Sequence, residues 1–257
     1  LTYSPPFPNA ILNRMEREAN EFDELFVPFD IRPRPLPPGV KLGLSRFPPP
    51  TATTTEGLLC VGGRLTPEYL LDAYRHAIFP WPMWANDPIA WWSPDPRAIF
   101  ELDGLHVSRR LQRTVRSGKF RVTFDQDFAG VIQACATVDD RTDSTWLTPS
   151  MIQAYCRLHE LGHAHSVEVH FNGALVGGTY GVSAGGLFAA ESMFHHERDA
   201  SKVALVHLVE HLNERGYRLL DIQQWTPHTG SMGAINISRD EYLRRLSAAI
   251  DQPVTFL

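Results

Sequence analysis

Asp221 and Gln223 stand two residues apart in LLDIQQW (Leu219–Trp225), a stretch that otherwise reads as a buried strand. Residues two apart on a strand share a face, so the two backbones would lie about 7 Å apart and their side chains could meet. A buried carboxylate is costly unless it is paired or hydrogen-bonded. Such a pair invites a functional reading. A polar strand end at the rim of a sheet would carry the same two residues.

His159, Glu160 and His163 spell HELGH, a zinc-hydrolase pattern in which two histidines share a helix face and the glutamate acts beside a metal-bound water. Gly162 falls where the helical pattern stops and HAHSVEVHF begins to alternate, so His163 is expected in a turn. The extended form of the motif needs glycine and histidine where Ser166 and Val169 stand, with His170 one residue out of register. Glu191 is formally available as a distal ligand. The motif reads better as a helix C-terminus whose histidines meet the last carbonyls, and no metal is expected.

A third set of groups is electrostatic. SRRLQRTVRSGKFR (Ser108–Arg121) holds Arg109, Arg110, Arg113, Arg116, Lys119 and Arg121 and no acid, in a chain of net charge −5. The overall charge argues against a generally basic nucleic-acid binder. The run itself fits either a solvated helix face or a phosphate-contacting patch. Trp81, Trp84, Trp91 and Trp92 crowd IFPWPMWANDPIAWWSPDPR, suiting either the lining of a cleft or an inter-domain core.

The bulk properties are those of a soluble globular protein: 257 residues, 43% hydrophobic and 21% charged. The length allows one large domain or two smaller ones. No stretch reaches the roughly 18 uninterrupted apolar residues of a membrane helix, and the first residues lack a secretory pattern. Cys60, Cys135 and Cys156 form neither a CxxC pair nor a disulfide framework, which points to a reducing cytoplasm.

The elements that would position these groups follow from pattern. Eleven of 20 prolines fall in residues 1–50, read as an extended arm with one short helix at NAILNRMEREANEF. Residues 51–105 are expected to form a small N-terminal domain, with a helix capped by Thr66 and opened by Pro67. Residues 106–257 alternate as α+β. KFRVTFD is a strand; QDFAGVIQACATV and TPSMIQAYCRLHEL are helices. HAHSVEVHF, ALVGGTYGV and GLFAAESMF form an antiparallel meander joined by Asn172-Gly173 and Ala184-Gly185-Gly186. DASKVALVHLVEHLNERG is a helix with Asp199 as N-cap and Gly216 as stop. YRLLDIQQW is a strand, and SRDEYLRRLSAAI a closing helix. This order is that of GCN5-related N-acetyltransferases, an analogy of fold.

Several longer strings carry a closer resemblance. GLLCVGGRLTPEYLLDAYRHAIFPW, WWSPDPRAIF, LHELGHAHSVEV, LVGGTYGV, FAAESMF, DASKVAL and LLDIQQ, spread over about residues 56–245, resemble the leucyl/phenylalanyl-tRNA protein transferase family. The resemblance implies a small N-terminal domain on a GCN5-like catalytic domain with a mainly antiparallel sheet. It implies transfer of Leu or Phe, and less readily Met, from aminoacyl-tRNA to proteins with N-terminal Arg or Lys, marking them for degradation. By the same resemblance Asp221 and Gln223 are the catalytic pair, with Asp221 receiving the amide hydrogens of Gln223 and the amide oxygen accepting a hydrogen bond from the amine. Trp146, Phe188 and Glu191, with Tyr74 and Trp81, serve the aminoacyl and acceptor site; Phe188 and Trp146 would wall an apolar cavity and Glu191 would face the acceptor's cation. Arg109, Arg110, Arg113, Arg116 and Lys119 would engage the tRNA. Thr179 and Thr226 are expected near the site without assigned roles. No cofactor is implied.

Two rival readings share parts of this pattern. A coenzyme A dependent N-acetyltransferase would cradle pyrophosphate on a Gly-rich loop at a helix start, whereas FHHERDASKVAL has no glycine and carries Glu197 and Asp199. A non-catalytic tRNA-binding module would use the basic run alone.

Overall fold

The computed structural model describes residues 24–27, 31–82, 88–138 and 145–257; the short helix expected at residues 9–22, and Trp84, lie outside them. The chain falls into two compact units, Leu1–Asp95 with Ser238–Arg244, and Pro96–Ile237 with Arg245–Leu257. The units part at Asp95/Pro96, ahead of the 105/106 division read from the sequence, because Arg97–Phe100 pairs into the larger sheet.

In the first unit, β1 (Leu25–Phe26), β2 (Leu58–Gly62), β3 (Phe79–Pro80) and β4 (Ala90–Trp92) form an antiparallel sheet in the order β1-β2-β4-β3. Trp91 is fully buried, its indole N–H donating to the Gly62 carbonyl at 2.9 Å, and Phe47 packs edge-on against it. The Trp92 indole donates to the Trp81 carbonyl at 2.9 Å. Trp91 and Trp92 are thus core residues of this unit. Helix α1 (Pro67–Arg75) starts with Pro67 as expected, although the Thr66 side chain makes no capping bond. Part of the proline-rich arm is tied down: Arg46 reaches Asp72 of α1 with both its backbone N–H and its guanidinium, each at 3.0 Å.

The second unit is a seven-stranded sheet in the order β11-β5-β10-β9-β8-β7-β6. Its strands are β5 (Arg97–Phe100), β6 (Arg121–Phe124), β7 (Ala164–Phe171), β8 (Ala174–Ala184), β9 (Leu187–His195), β10 (Leu219–Gln223) and β11 (Ile235–Ile237). Every pairing is antiparallel except β10 with β9. The expected meander is present, with Asn172 (φ +50°) and Gly173 (φ +82°) in the left-handed region that a tight two-residue hairpin requires.

The helices are α2 (Arg109–Arg116), α3 (Phe128–Thr137), α4 (Pro149–Glu160), α5 (Ala200–Arg215), α6 (Pro227–Gly230) and α7 (Arg239–Ala249). Thr148 caps α4 by accepting the Met151 N–H, and Gly216 (φ +82°) ends α5, as the sequence signals imply. One side of the sheet is sealed by α5, where Val203, Leu205 and Leu208 join Phe188, Leu220 and Phe256 in one apolar cluster. On the other side Phe128 of α3 and Tyr155 of α4 meet Tyr180 edge-on, with ring centroids 5.7 and 5.5 Å apart.

Two irregularities interrupt the sheet near its centre. Between β8 and β9, Tyr180 faces Ser192 and Gly181 faces Ala190, so Glu191 is the extra residue of a bulge. Between β10 and β5, Asp221 faces Ile99 and Gln223 faces Ala98, leaving Ile222 without a partner there. The parallel β9–β10 pairing covers only Leu219–Asp221 against Leu187–Ala189, and β9 runs on to His195 without β10.

Gly181 is required by the first bulge. A Cβ there would fall against the Ala189 carbonyl oxygen and the Phe188 ring, inside normal contact distance. Replacing Gly181 by Ala is expected to lower the unfolding free energy by about 1–3 kcal/mol. Urea denaturation followed by tryptophan fluorescence would read this as a lower midpoint at unchanged slope.

Candidate active site

Leu220 and Ile222 pack into the cluster under α5, so Asp221 between them is directed to the other face of β10. There it meets Arg97 of β5 in a buried two-point contact, Nε to Oδ1 at 2.9 Å and Nη2 to Oδ2 at 2.6 Å. The two residues are 2% and 0% exposed. Such a fork fixes a carboxylate in orientation as well as charge. Asp221 Oδ1 also accepts the backbone N–H of Gln223 at 3.0 Å, a bond made by a residue whose φ of +56° turns the chain out of the strand path.

That turn decides where Gln223 points. Its Nε2 donates to Glu191 Oε1 at 3.0 Å, and Glu191 Oε2 accepts from the Tyr155 hydroxyl at 3.1 Å. The amide hydrogens were expected on Asp221. In the structure Asp221 takes the backbone N–H of Gln223, and Glu191 takes a side-chain amide hydrogen. The cause is the unpaired Ile222, which breaks strict alternation on the strand. Because a carboxylate only accepts, this contact also sets the amide orientation, with nitrogen toward Glu191 and Oε1 turned from it.

Glu191 is itself aimed by its bulge. It stands two residues past Ala189, the last β9 residue paired with β10, as Gln223 stands two past Asp221. Tyr180, whose hydroxyl has no hydrogen-bond partner among the described residues, backs this group. Burial first, and then the neighbouring Tyr155 and Glu191, push the Tyr180 phenol well above its ordinary pKa and keep it neutral. Thr179 is occupied with the Ser192 carbonyl at 2.9 Å, and Thr226 is the N-cap of α6.

The other expected residues are placed as follows. Trp146 is half-buried just before α4, the helix that carries Tyr155. Phe188 was expected as a wall of an apolar recess, but it is a core residue, 1% exposed and stacked on Phe256 at 5.5 Å. It faces the α5 side because it pairs across β8 with Ser183, on the same side as Gly181. Tyr74 lies on α1 and Trp81 follows β3, both in the first unit.

Arg109, Arg110, Arg113 and Arg116 are exposed on α2, whose single buried residue is Leu111. Arg110 pairs with Asp199 at 3.1 Å, and Lys119 with Glu197 at 3.1 Å. The HELGH segment is a helix end: α4 stops at Glu160, Gly162 has φ +77°, and the His163 N–H donates to the Leu158 carbonyl at 2.8 Å. His159 stacks flat on Phe128 at 4.4 Å, with Nδ1 2.8 Å from the Ala164 carbonyl oxygen.

A family model described as leucyl/phenylalanyl-tRNA protein transferase matches residues 99–247, and one for the N-terminal domain of that family matches residues 63–95. The chain belongs to the leucyl/phenylalanyl-tRNA protein transferase family. A relative of that name from Solidesulfovibrio magneticus is 53% identical over 207 residues, covering 80% of this chain and 83% of the relative. Another from Pseudomonas entomophila is 52% identical over 198 residues, covering 77% and 87%. Likeness to a solved structure is fainter: a ribosomal-protein-alanine N-acetyltransferase from Brucella melitensis biovar Abortus 2308 is 16% identical with a TM-score of 0.31, over 43% of this chain and 85% of that one. Membership makes the protein an aminoacyltransferase that moves an aminoacyl group from tRNA to protein. Among the described residues no helix is long and apolar enough to cross a membrane.

Two residues of the site escaped the sequence reading. Arg97 carried a signal, since it is the lone charge in the buried strand RAIF and a buried Asp221 demands a cation. Tyr155 did not, because an aromatic on the apolar face of a helix reads as core. Replacing Arg97 by Met would take the guanidinium from a buried carboxylate and is expected to cost about 3–5 kcal/mol of stability. Adding Asp221→Leu to Arg97→Met should restore most of that loss, a coupling that chemical denaturation of the two single variants and the double variant would measure.

Proposed function

We propose that the protein transfers Leu or Phe, and less readily Met, from aminoacyl-tRNA to the α-amino group of proteins beginning with Arg or Lys, creating a degradation signal. The observation that carries this reading is the hydrogen-bonded line Tyr155–Glu191–Gln223, standing where the β9–β10 pairing ends. Gln223 is the residue that meets the acceptor: its amide oxygen accepts a hydrogen bond from the α-amino group. Glu191 and Tyr155 position that amide, and the Arg97–Asp221 pair positions the backbone of Gln223. Trp146 is the proposed wall for the apolar side chain, with Phe188 as packing behind the strand.

In the reaction the neutral amine nitrogen attacks the ester carbonyl carbon, a peptide C–N bond forms and the bond to the ribose oxygen breaks. The amine gives up one proton and the ribose oxygen gains one, so the products are the lengthened protein and free tRNA. The ester is already activated, which leaves positioning as the main demand, worth roughly 7–11 kcal/mol in well-oriented cases. An apolar cavity separates side chains by about 1–3 kcal/mol per methylene, which accounts for tolerance of Met beside Leu and Phe. Arg109, Arg110, Arg113, Arg116 and Lys119 contact tRNA phosphates.

The direct test incubates the protein with leucyl-tRNA and a peptide beginning with Arg, and looks by mass spectrometry for one added leucine. An unchanged peptide, beside a working control transferase, would overturn the reading. Gln223→Ala should lower kcat about 100-fold while tRNA affinity stays within a few fold. The dependence on pH should follow the substrate. A peptide α-amino group titrates near about 7.7–8.0 and only its neutral form attacks, so kcat/KM for the peptide rises with pH through that range and levels above it. A peptide with a less basic N-terminus should move the midpoint down by the same amount.

A further inference from the structure

A second feature of the catalytic unit lies away from Glu191 and Gln223. A cavity of about 300 Å³ is walled by three separate segments, with His106, Ser108 and Arg110 leading into α2, Arg198 and Lys202 around the start of α5, and Ser231 after α6. The His106 N–H donates to the Met232 carbonyl at 2.8 Å, joining two of these segments. Three permanent cations thus face one acid, Asp199, and that acid is engaged by Arg110 Nη2 at 3.1 Å. Asp199 occupies the N-cap position of α5, as expected, but at φ +69° its side chain makes no capping bond. Among the described residues neither Arg198 nor Lys202 has an acidic partner. In a chain of net charge −5 this is an excess of positive charge in a walled space with hydroxyls beside it, the composition that binds a phosphate.

The surroundings narrow the ligand. Burial lowers the pKa of His228, and the charges of Lys202 and His195 add to it. The segment that ends at the cavity with Ser231 begins at Gln223. Two residues past Gln223, Trp225 is 46% exposed, and its indole is fixed by a bond from Nε1 to the Ala234 carbonyl at 3.2 Å and by packing on Gly230. A fixed, exposed indole on the segment that links Gln223 to a cationic cavity suits an unpaired nucleotide, stacked by its base and held by its phosphate.

We propose that the cavity holds a backbone phosphate from the single-stranded 3′ end of the aminoacyl-tRNA, gripped by Arg198 and Lys202. This rests on the function proposed above and adds an anchor that a phosphate-free aminoacyl ester cannot use.

The test compares leucyl-tRNA with 3′-leucyl-adenosine, which has no phosphate, in the full chain and in Arg198→Met, Lys202→Met and the double variant. With leucyl-tRNA the double variant should raise KM about tenfold at unchanged kcat, and the slope of log Kd for tRNA against log salt should become shallower by about 1. With 3′-leucyl-adenosine its kcat/KM should equal that of the unaltered protein. Equal losses on both substrates would mark structural damage and overturn the proposal, as would unchanged KM and salt slope. Millimolar inorganic phosphate or coenzyme A supplies the other source of the same chemistry. Inhibition of the short-substrate reaction by either, relieved in the double variant, would make the cavity a small-ligand site and also overturn it. If the unaltered protein transfers leucine from neither substrate, the proposed function fails, while the salt slope of tRNA binding still judges the cavity.

Discussion

The buried contact between Arg97 and Asp221 is the constraint on which the site depends. A guanidinium fork on a fully buried carboxylate leaves Asp221 one orientation, and the second duty of its Oδ1 is to hold the Gln223 N–H. That backbone bond goes with the positive φ of Gln223 and with the early end of the β10 ladder. A pair of this kind adds little net stability compared with a well-packed apolar pair, since desolvation cancels most of its attraction. What it supplies is a single geometry at the point where the chain leaves the sheet.

The two bulges act together. On β9 the extra residue is Glu191, and on β10 the residue without a β5 partner is Ile222, immediately before Gln223. Each strand is thereby turned close to Glu191 or Gln223, and the two side chains meet across strands whose backbones are no longer paired. Bulges re-aim side chains at some cost in local pairing. Here the long β7–β8–β9 meander on one side and the helix α5 beneath form the rigid remainder that carries this cost.

Much of this fold was legible in local signals. Thr148 with Pro149, the Asn172-Gly173 turn and Gly216 as a stop are positions where backbone geometry admits few residues, and each is used as read. The polar break that Asp221 and Gln223 make in an apolar strand was legible too, and so was the end of α4 in HELGH. Their partners were not, because they come from distant segments: Arg97 is 124 residues from Asp221, and Glu191 is 32 from Gln223. Strict alternation also misled. It put Asp221 and Gln223 side chain to side chain, and it could not tell which face Phe188 takes, since a buried strand is apolar on both faces. Asp199 holds the N-cap position read for it yet makes no side-chain cap bond, because Arg110, on another helix, holds its carboxylate.

The chemical logic of the arrangement lies in where the negative charge stops. A bare carboxylate beside the attacking amine would favour the protonated ammonium, raising its pKa and removing the nucleophile. In the proposed reaction the charge of Glu191 sits behind Gln223, and a neutral amide is what meets the amine. The amide passes on part of the polarisation through its own dipole, because a hydrogen bond at its nitrogen strengthens the acceptor at its oxygen. It keeps the full charge at a distance and cannot itself be protonated in the working range. Arg97 does the corresponding service for Asp221, cancelling a second negative charge within the same few ångströms. With both carboxylates committed to protein partners, orientation is supplied to the nucleophile without the field that would disarm it.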